Sequence, residues 1–250
     1  MTDAGQAAAG SARVVAITGA GGGIGAALVR QFAEAGYRVA AIGRSGPKLE
    51  AAAAQHDAIA PYAADVADAS DCLSAMAAVQ ADLGPVDVLI AGAAVYPKGY
   101  FLDQSPDDFN DVLRINVAGV ANAIRPVLPG MLERNFGRIV VMGSLADMNP
   151  LPASLAYSVS KGALHTLVRA IAVEIDRGRY PNVLINEFSP GATRTAMSEF
   201  GHDPAEIYPM LRKLVECGPE GPQGQFFQEG RQIRIGESWK AALKRLILRK

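Results

Sequence analysis

A hydroxyl, a phenol and an ammonium occur in order within the stretch Ser144 to Lys161, and their types and spacing suit proton transfer. Tyr157 and Lys161 are four residues apart, a separation that stacks two side chains on one face of a helix. A phenol ordinarily titrates at about 10, too high for ready proton exchange near neutrality. A fixed cation beside it favours phenolate, so the spacing predicts a Tyr157 pKa lowered by Lys161. Ser144 closes an apolar run from Arg138 to Met142, where a loop brings its hydroxyl back over the phenol ring. The set then offers a donor for a substrate oxygen, a proton relay and a charge that tunes the relay. Taken singly, the residues have plainer readings: a core or rim tyrosine and a solvated surface lysine.

A second chemistry is written earlier in the chain. The β-branched run Val14 to Thr18 is followed at once by Gly19, Gly21, Gly22, Gly23, Ile24 and Gly25, and then by a helical pattern. Missing side chains let backbone approach a pyrophosphate, and unpaired N–H groups at a helix start meet the anion. The spacing is GxxxGxG, and a glycine-rich turn without a ligand is the plainer alternative. Arg44 follows the second expected strand, where a dinucleotide fold places the adenosine ribose. An acid there would favour NAD, whereas an arginine clamps a 2′-phosphate, so NADP(H) is expected over NAD(H). The alternative is an arginine in solvent at the sheet edge. Asp65 either accepts from an adenine amino group or caps the helix that follows.

Positioning these groups requires alternating strands and helices. Strands are predicted at Val14–Thr18, 38–42, 58–63, 86–90, 138–142 and 182–188, helices at 48–54, 70–83, 156–177 and 205–216, and beyond them lies a short run at 232–235. A further helix opens at Ser105-Pro106-Asp107-Asp108 and runs toward Glu133, with a kink or break at Pro126 and Pro129. The order predicts one α/β domain, a doubly wound parallel sheet of Rossmann type with helices on both faces.

Bulk properties narrow the function further. The 250 residues are 50% hydrophobic, enough for one large core, and the net charge of −1 gives no electrostatic footprint for nucleic acid. Cys72 and Cys217 match no metal-ligand spacing and read as thiols of a reducing compartment. With neither a secretory pattern nor an apolar run of membrane-spanning length, the expected location is cytoplasmic. Residues 1–11 read as a flexible tail, 12–236 as the domain, and 237–250 as a basic amphipathic helix. That last helix carries Trp239, Leu243 and Leu246 on one stripe, which suits packing on a subunit or contact with an anionic membrane surface.

From about Val14 to Ile235 the chain resembles the short-chain dehydrogenase/reductase family, with a carbonyl-reductase-like GQFF segment. The matching motifs are TGAGGGIG, Asp65-Val66, Asn116, Ser144, Tyr157-x-x-x-Lys161 and Pro190-Gly191-Ala192-Thr193-Arg194-Thr195. The resemblance implies that Tyr157 is the acid or base, that Ser144 binds the substrate oxygen, and that Lys161 holds the nicotinamide ribose and depresses the Tyr157 pKa. It implies that Asn116 holds a water behind Lys161, and that Pro190, Gly191, Thr193 and Thr195 line the nicotinamide. For Asn116 the residues alone favour an amide bonding across to the sheet. Family members are usually dimers or tetramers. The chain departs from the family at Ala91-Gly92-Ala93-Ala94, where an Asn-Asn-Ala-Gly turn is usual.

The implied activity is interconversion of a ketone and a secondary alcohol. Walls from Val95–Phe101 and Ala146–Leu155 and a lid from Thr195–Tyr208 predict an apolar or aromatic substrate. A dinucleotide-binding regulator with little turnover and an NAD-dependent alcohol dehydrogenase are the competing readings.

Overall fold

Val14–Thr18 (β1) is buried along its whole length, as a strand covered on both faces must be. It pairs in parallel with Arg38–Gly43 (β2) on one side and Val86–Ala91 (β4) on the other, while Ile59–Ala63 (β3) extends the sheet beyond β2. Gly137–Met142 (β5) and Val183–Ser189 (β6) continue from β4. Phe226–Gln228 (β7) adds in parallel to β6, and Arg231–Ile233 (β8) closes that edge antiparallel to β7. The order is β3-β2-β1-β4-β5-β6-β7-β8, so the chain reverses direction across the sheet between β1 and β4. Ligands of such sheets bind outside the carboxyl ends of the strands at that reversal. This computed structural model describes residues 12–235. The tail expected over 1–11 and the basic helix expected over 237–250 lie outside the described residues.

Side-chain alternation along the strands builds two apolar layers. Ala16, Leu89, Ile139, Val141 and Ile185 face one layer, which Ala69–Leu83 (α3) meets with Met76 and Val79. Ile17, Val39, Ile90, Val140 and Phe188 face the other, covered by Leu28 and Phe32 of Gly23–Glu34 (α1) and Leu49 of Gly46–Ala53 (α2). Among the described residues, no helix is long and apolar enough to cross a membrane.

The helix expected from Ser105 to Glu133 is divided. Ser105 Oγ accepts from the Asp108 amide at 3.1 Å and starts Pro106–Leu113 (α4). A π-helical turn, Arg114–Ala118, leads into Gly119–Ile124 (α5). The predicted interruption falls at Pro126, which cannot donate to a helical carbonyl. Pro129 sits in the first turn of Leu128–Glu133 (α6), where the missing N–H has no helical partner to lose.

Leu155–Glu174 (α7) carries Tyr157 and Lys161 and stops three residues short of the predicted Arg177, because Ile175 is already extended. Pro204–Glu206 forms a 3-10 turn before Ile207–Glu216 (α8). The sequence reading missed β7, whose three residues are too few for a two-residue period to register. It also placed a helix cap at Asp65 as one alternative. The cap of α3 is Asp68, whose carboxylate accepts from the amides of Ser70 and Asp71, while Asp65 Oδ1 accepts from Ala67 N at 3.0 Å.

Candidate active site

The turn between β1 and α1 is shaped by glycines at two points of close approach. Gly19 has φ 77°, and a Cβ there would stand 2.9 Å from Ala93 Cα. A Cβ on Gly25 would stand 2.1 Å from the Gly19 carbonyl oxygen. Gly22, the residue before α1, offers no side chain to cap its first amides, and a Cβ on Gly22 would meet nothing within 4 Å. Backbone donors at the helix start therefore open onto free space, which is what a phosphate bridge requires.

That space is one cleft of about 610 Å³. Gly19, Gly21, Gly23, Ile24 and Gly25 form its floor, and Arg44, Ser45 and Lys48 stand at one end. Tyr157 and Lys161 lie at the other end beside Gly143, with Pro190 and Thr195 on the far wall. Asp65 and Val66 line a smaller cavity of about 100 Å³ with Gly19 and Arg44. Thr193 is buried with its hydroxyl toward the Gly191 carbonyl, at 3.4 Å. Gly191, at φ 73°, lies against the Glu229 carboxylate. These two shape the loop from behind while Pro190 and Thr195 reach the cleft.

The missing Asn-Asn turn is replaced from other elements. Thr18 Oγ1 accepts from Gly92 N at 3.0 Å and from Ala93 N at 3.3 Å, tying the end of β4 to β1. Asn116, in the π turn, accepts from Val95 N at 2.8 Å and donates to Val95 O at 2.9 Å and Ser160 Oγ at 3.0 Å. Both amide hydrogens are thereby used. The side chain ties the loop after β4 to α7, so its partners are neither the sheet that the residues alone suggested nor a water behind Lys161.

At the reacting end, the Ser144 hydroxyl, which accepts from Ala146 N at 3.1 Å, lies close enough to the Tyr157 hydroxyl to lower its pKa, and the Tyr96 ring lies 4.4 Å from the Tyr157 ring, tilted by 31°. The expectation of a depressed Tyr157 pKa is not met. Desolvation raises it, the Ser144 hydroxyl opposes the rise, and the Tyr96 phenol adds to it. Lys161 does not act on the hydroxyl because its Nζ donates to the Met142 carbonyl at 2.8 Å and lies 5.4 Å from the ring centroid. Burial takes Lys161 itself down to about 8, against the upward pull of Glu187.

The sequence reading missed what lies behind Lys161. His165 is buried on α7, one turn after Lys161, with Nδ1 2.5 Å from Glu187 Oε2 and Nε2 3.0 Å from Asp147 Oδ2. Burial pulls His165 down, but its bonds and the two negative charges prevail and hold the imidazole above its usual value. A signal was present: Glu187 is a lone acid within a strand of otherwise uncharged residues, and ionised side chains are rarely buried unless paired.

The expected substrate walls are open rather than packed among themselves. Tyr100, Phe101 and Leu151 are exposed and line a separate cavity of about 500 Å³ with Asp147 and Ser158; Met148 and Phe200 are exposed as well, and Met197 lines the cleft itself. Thr195 crosses to the opposite bank, since a Cβ on Gly23 would stand 3.0 Å from its methyl. A donor hydroxyl, a protonated phenol and a buried ammonium at the end of a phosphate-ready cleft can bind an oxygen and deliver a proton to it.

Comparison with known proteins agrees with this geometry. Residues 13–204 match the family model of the short chain dehydrogenase. Acetoacetyl-CoA reductase of Rhizobium meliloti (strain 1021) is 34% identical over 185 residues, covering 74% of this chain and 76% of the relative. The 2-(R)-hydroxypropyl-CoM dehydrogenase of Xanthobacter autotrophicus is 34% identical over 203 residues, covering 78% and 80%. In fold, the chain superposes on levodione reductase with TM-score 0.80 at 24% identity over 87% of this chain and 96% of the other. It superposes equally, at TM-score 0.80 and 22% identity over 89% and 99%, on 3-ketoacyl-(acyl-carrier-protein) reductase from Brucella melitensis, solved with NADH. With the family model spanning most of the chain and relatives that are reductases and dehydrogenases, the chain is an oxidoreductase and belongs to the short-chain dehydrogenase family.

Proposed function

We propose that this oxidoreductase interconverts a ketone and a secondary alcohol with NADP(H), using Tyr157 as the proton carrier. The observation that carries the reading is the single cleft running from Arg44, past the glycine turn, to Tyr157 and Lys161. The residues present suit a dinucleotide: the uncapped start of α1 meets the phosphate bridge, and Arg44 with Lys48 meets a 2′-phosphate. When bound, the nicotinamide supplies or accepts the hydride at the carbonyl carbon.

The chain supplies the rest. Ser144 donates to the substrate oxygen and holds it beside the Tyr157 hydroxyl. Tyr157, protonated at neutral pH, is the group that gives its proton to that oxygen in reduction, and desolvation, by raising its pKa, disfavours the phenolate it becomes. Lys161, anchored on Met142, keeps a buried positive charge 5.4 Å from the Tyr157 ring, where the nicotinamide ribose would lie. The exposed apolar and aromatic side chains of the expected walls, Tyr100, Phe101 and Leu151, support an apolar or aromatic group on the substrate.

Tyr157→Phe deletes one hydroxyl and leaves the ring stacked on Tyr96. Turnover on a ketone panel is expected to fall by about 10²- to 10⁴-fold, the usual worth of a positioned acid or base. NADPH binding followed by cofactor fluorescence should hardly change. Full activity in this variant would remove Tyr157 from the chemistry. Arg44→Asp removes a phosphate partner and adds a ribose acceptor, so the preference for NADPH over NADH should fall by roughly 10- to 100-fold. An unaltered preference would place cofactor selection elsewhere.

A further inference from the structure

We propose that Asp147, His165 and Glu187 form a buried charge cluster whose Glu187 carboxylate keeps Lys161 in its ammonium form, so that Glu187 is a positioning residue acting through the lysine. The proposal deepens the reductase reading and rests on it for the use made of Lys161.

The geometry is specific. Glu187 lies within β6 at 1% exposure, where an acid has no access to bulk water. Its Oε2 is 2.5 Å from His165 Nδ1, while Oε1 has no hydrogen-bond partner. That free oxygen is aimed at the active-site end of β5: a Cβ on Gly143 would stand 2.0 Å from it. Gly143 lines the cleft and directly follows Met142, whose carbonyl anchors Lys161 Nζ. The carboxylate thus lies against the residue next to the lysine's anchor. His165 follows Lys161 by four residues on α7, a spacing that puts both on one face.

The groups in contact with His165 are Glu187 from β6, Asp147 from the loop after β5, and the Phe226 ring of β7 at 4.7 Å, which brings no charge, while Lys161 is one turn earlier on the same helix. Asp147, with its side chain 19% exposed, is the outer member. Burial pushes the Glu187 carboxyl above its usual value, while its bond to His165 and the charges of His165 and Lys161 pull it back down; with that carboxylate ionised, ammonium and imidazolium against two carboxylates sum to zero, an arrangement that a poorly hydrated interior tolerates. Without Glu187, two cations would share one acid, and a buried ammonium lacking a counter-charge sheds its proton. The pull of Glu187 opposes the desolvation of Lys161, which fits this role.

The test is an NMR titration of Lys161 in the full-length, ligand-free protein labelled at lysine Cε, with the signal assigned by its loss in Lys161→Arg. In Glu187→Gln, which keeps size and hydrogen bonding but not charge, the midpoint should fall by about one unit or more from its wild-type position. A purely structural Glu187 would instead leave the midpoint in place and lower only the melting temperature, and that result overturns the proposal. Should the single variant fail to fold, with His165⁺ left unpaired, the doubly neutral His165→Gln/Glu187→Gln protein tests the same point. There too the midpoint should fall, and an unmoved midpoint refutes. The titration needs neither cofactor nor substrate, so its outcome is separable from that of Tyr157→Phe.

Discussion

Tyr157 and Lys161 divide the work of the site by having pKa values moved in opposite directions by the same cause. Burial disfavours charge, so the phenol is held up and the ammonium is brought down to about 8. In the folded chain the ammonium is therefore lost as pH rises through about 8, well before an ordinary lysine would lose it. We expect kcat/KM and cofactor affinity to decline above about pH 8, and a limb that starts only near the ordinary lysine range would contradict this. Linkage has the opposite sign: between about 8 and the ordinary value the unfolded chain binds more protons, so this group adds stability as pH rises there. Tyr157 and Lys161 were legible as a pair because helical spacing carries over directly to a shared face of α7, whereas Ser144, in the loop after β5, was legible only from the end of the apolar run before it. The depressed phenol was misread because spacing gives proximity and does not reveal that the Lys161 Nζ is taken by the Met142 carbonyl. Asp147, His165 and Glu187 come from three elements, and only the fold brings them together.

At the scale of elements, the β1–α1 turn is a steric device. Gly25→Ala would drive a methyl carbon to within 2.1 Å of the Gly19 carbonyl, an overlap that backbone cannot relieve without moving the turn. Overpacking of this kind costs about 1–3 kcal/mol, and here it also displaces the amides that would meet a phosphate. The expected result is a lower melting temperature together with a loss of dinucleotide affinity larger than the stability change explains. Unchanged affinity would show that the turn is not the phosphate site. The strands β1 to β6 and helices α1 to α3 were readable to within a few residues from apolar runs and capping signals. The π turn was not, because a single widened turn leaves the helical period of its neighbours intact. Its effect is local and functional: it places Asn116 where one amide joins Val95 to Ser160.

For the molecule as a whole, the two apolar layers hold the sheet's reversal rigid beneath the cleft. Phe32 is central to one of them, packed edge-on against Tyr37 at 5.1 Å and Tyr208 at 4.8 Å. It thereby joins α1, which bears the phosphate turn, to α8, which follows the lid segment. Phe32→Ala should cost about 3–5 kcal/mol by chemical denaturation, as large core truncations do. A loss below about 1 kcal/mol would mean that α8 is not integral to the core. The doubly wound architecture was legible because alternating strands and helices leave few alternatives. The closing edge of β7 and β8 was not, since three-residue strands owe their pairing to β6 rather than to their own pattern.

The meeting of Thr195 with Gly23 is where two banks of the cleft touch. One bank is the start of α1 and the other the segment beyond β6, and their separation is fixed by a hydrogen where any other residue would carry carbon. A single added methyl at position 23 would press the Thr195 side chain back by a few tenths of an ångström and, at φ 53°, strain the first residue of α1 as well.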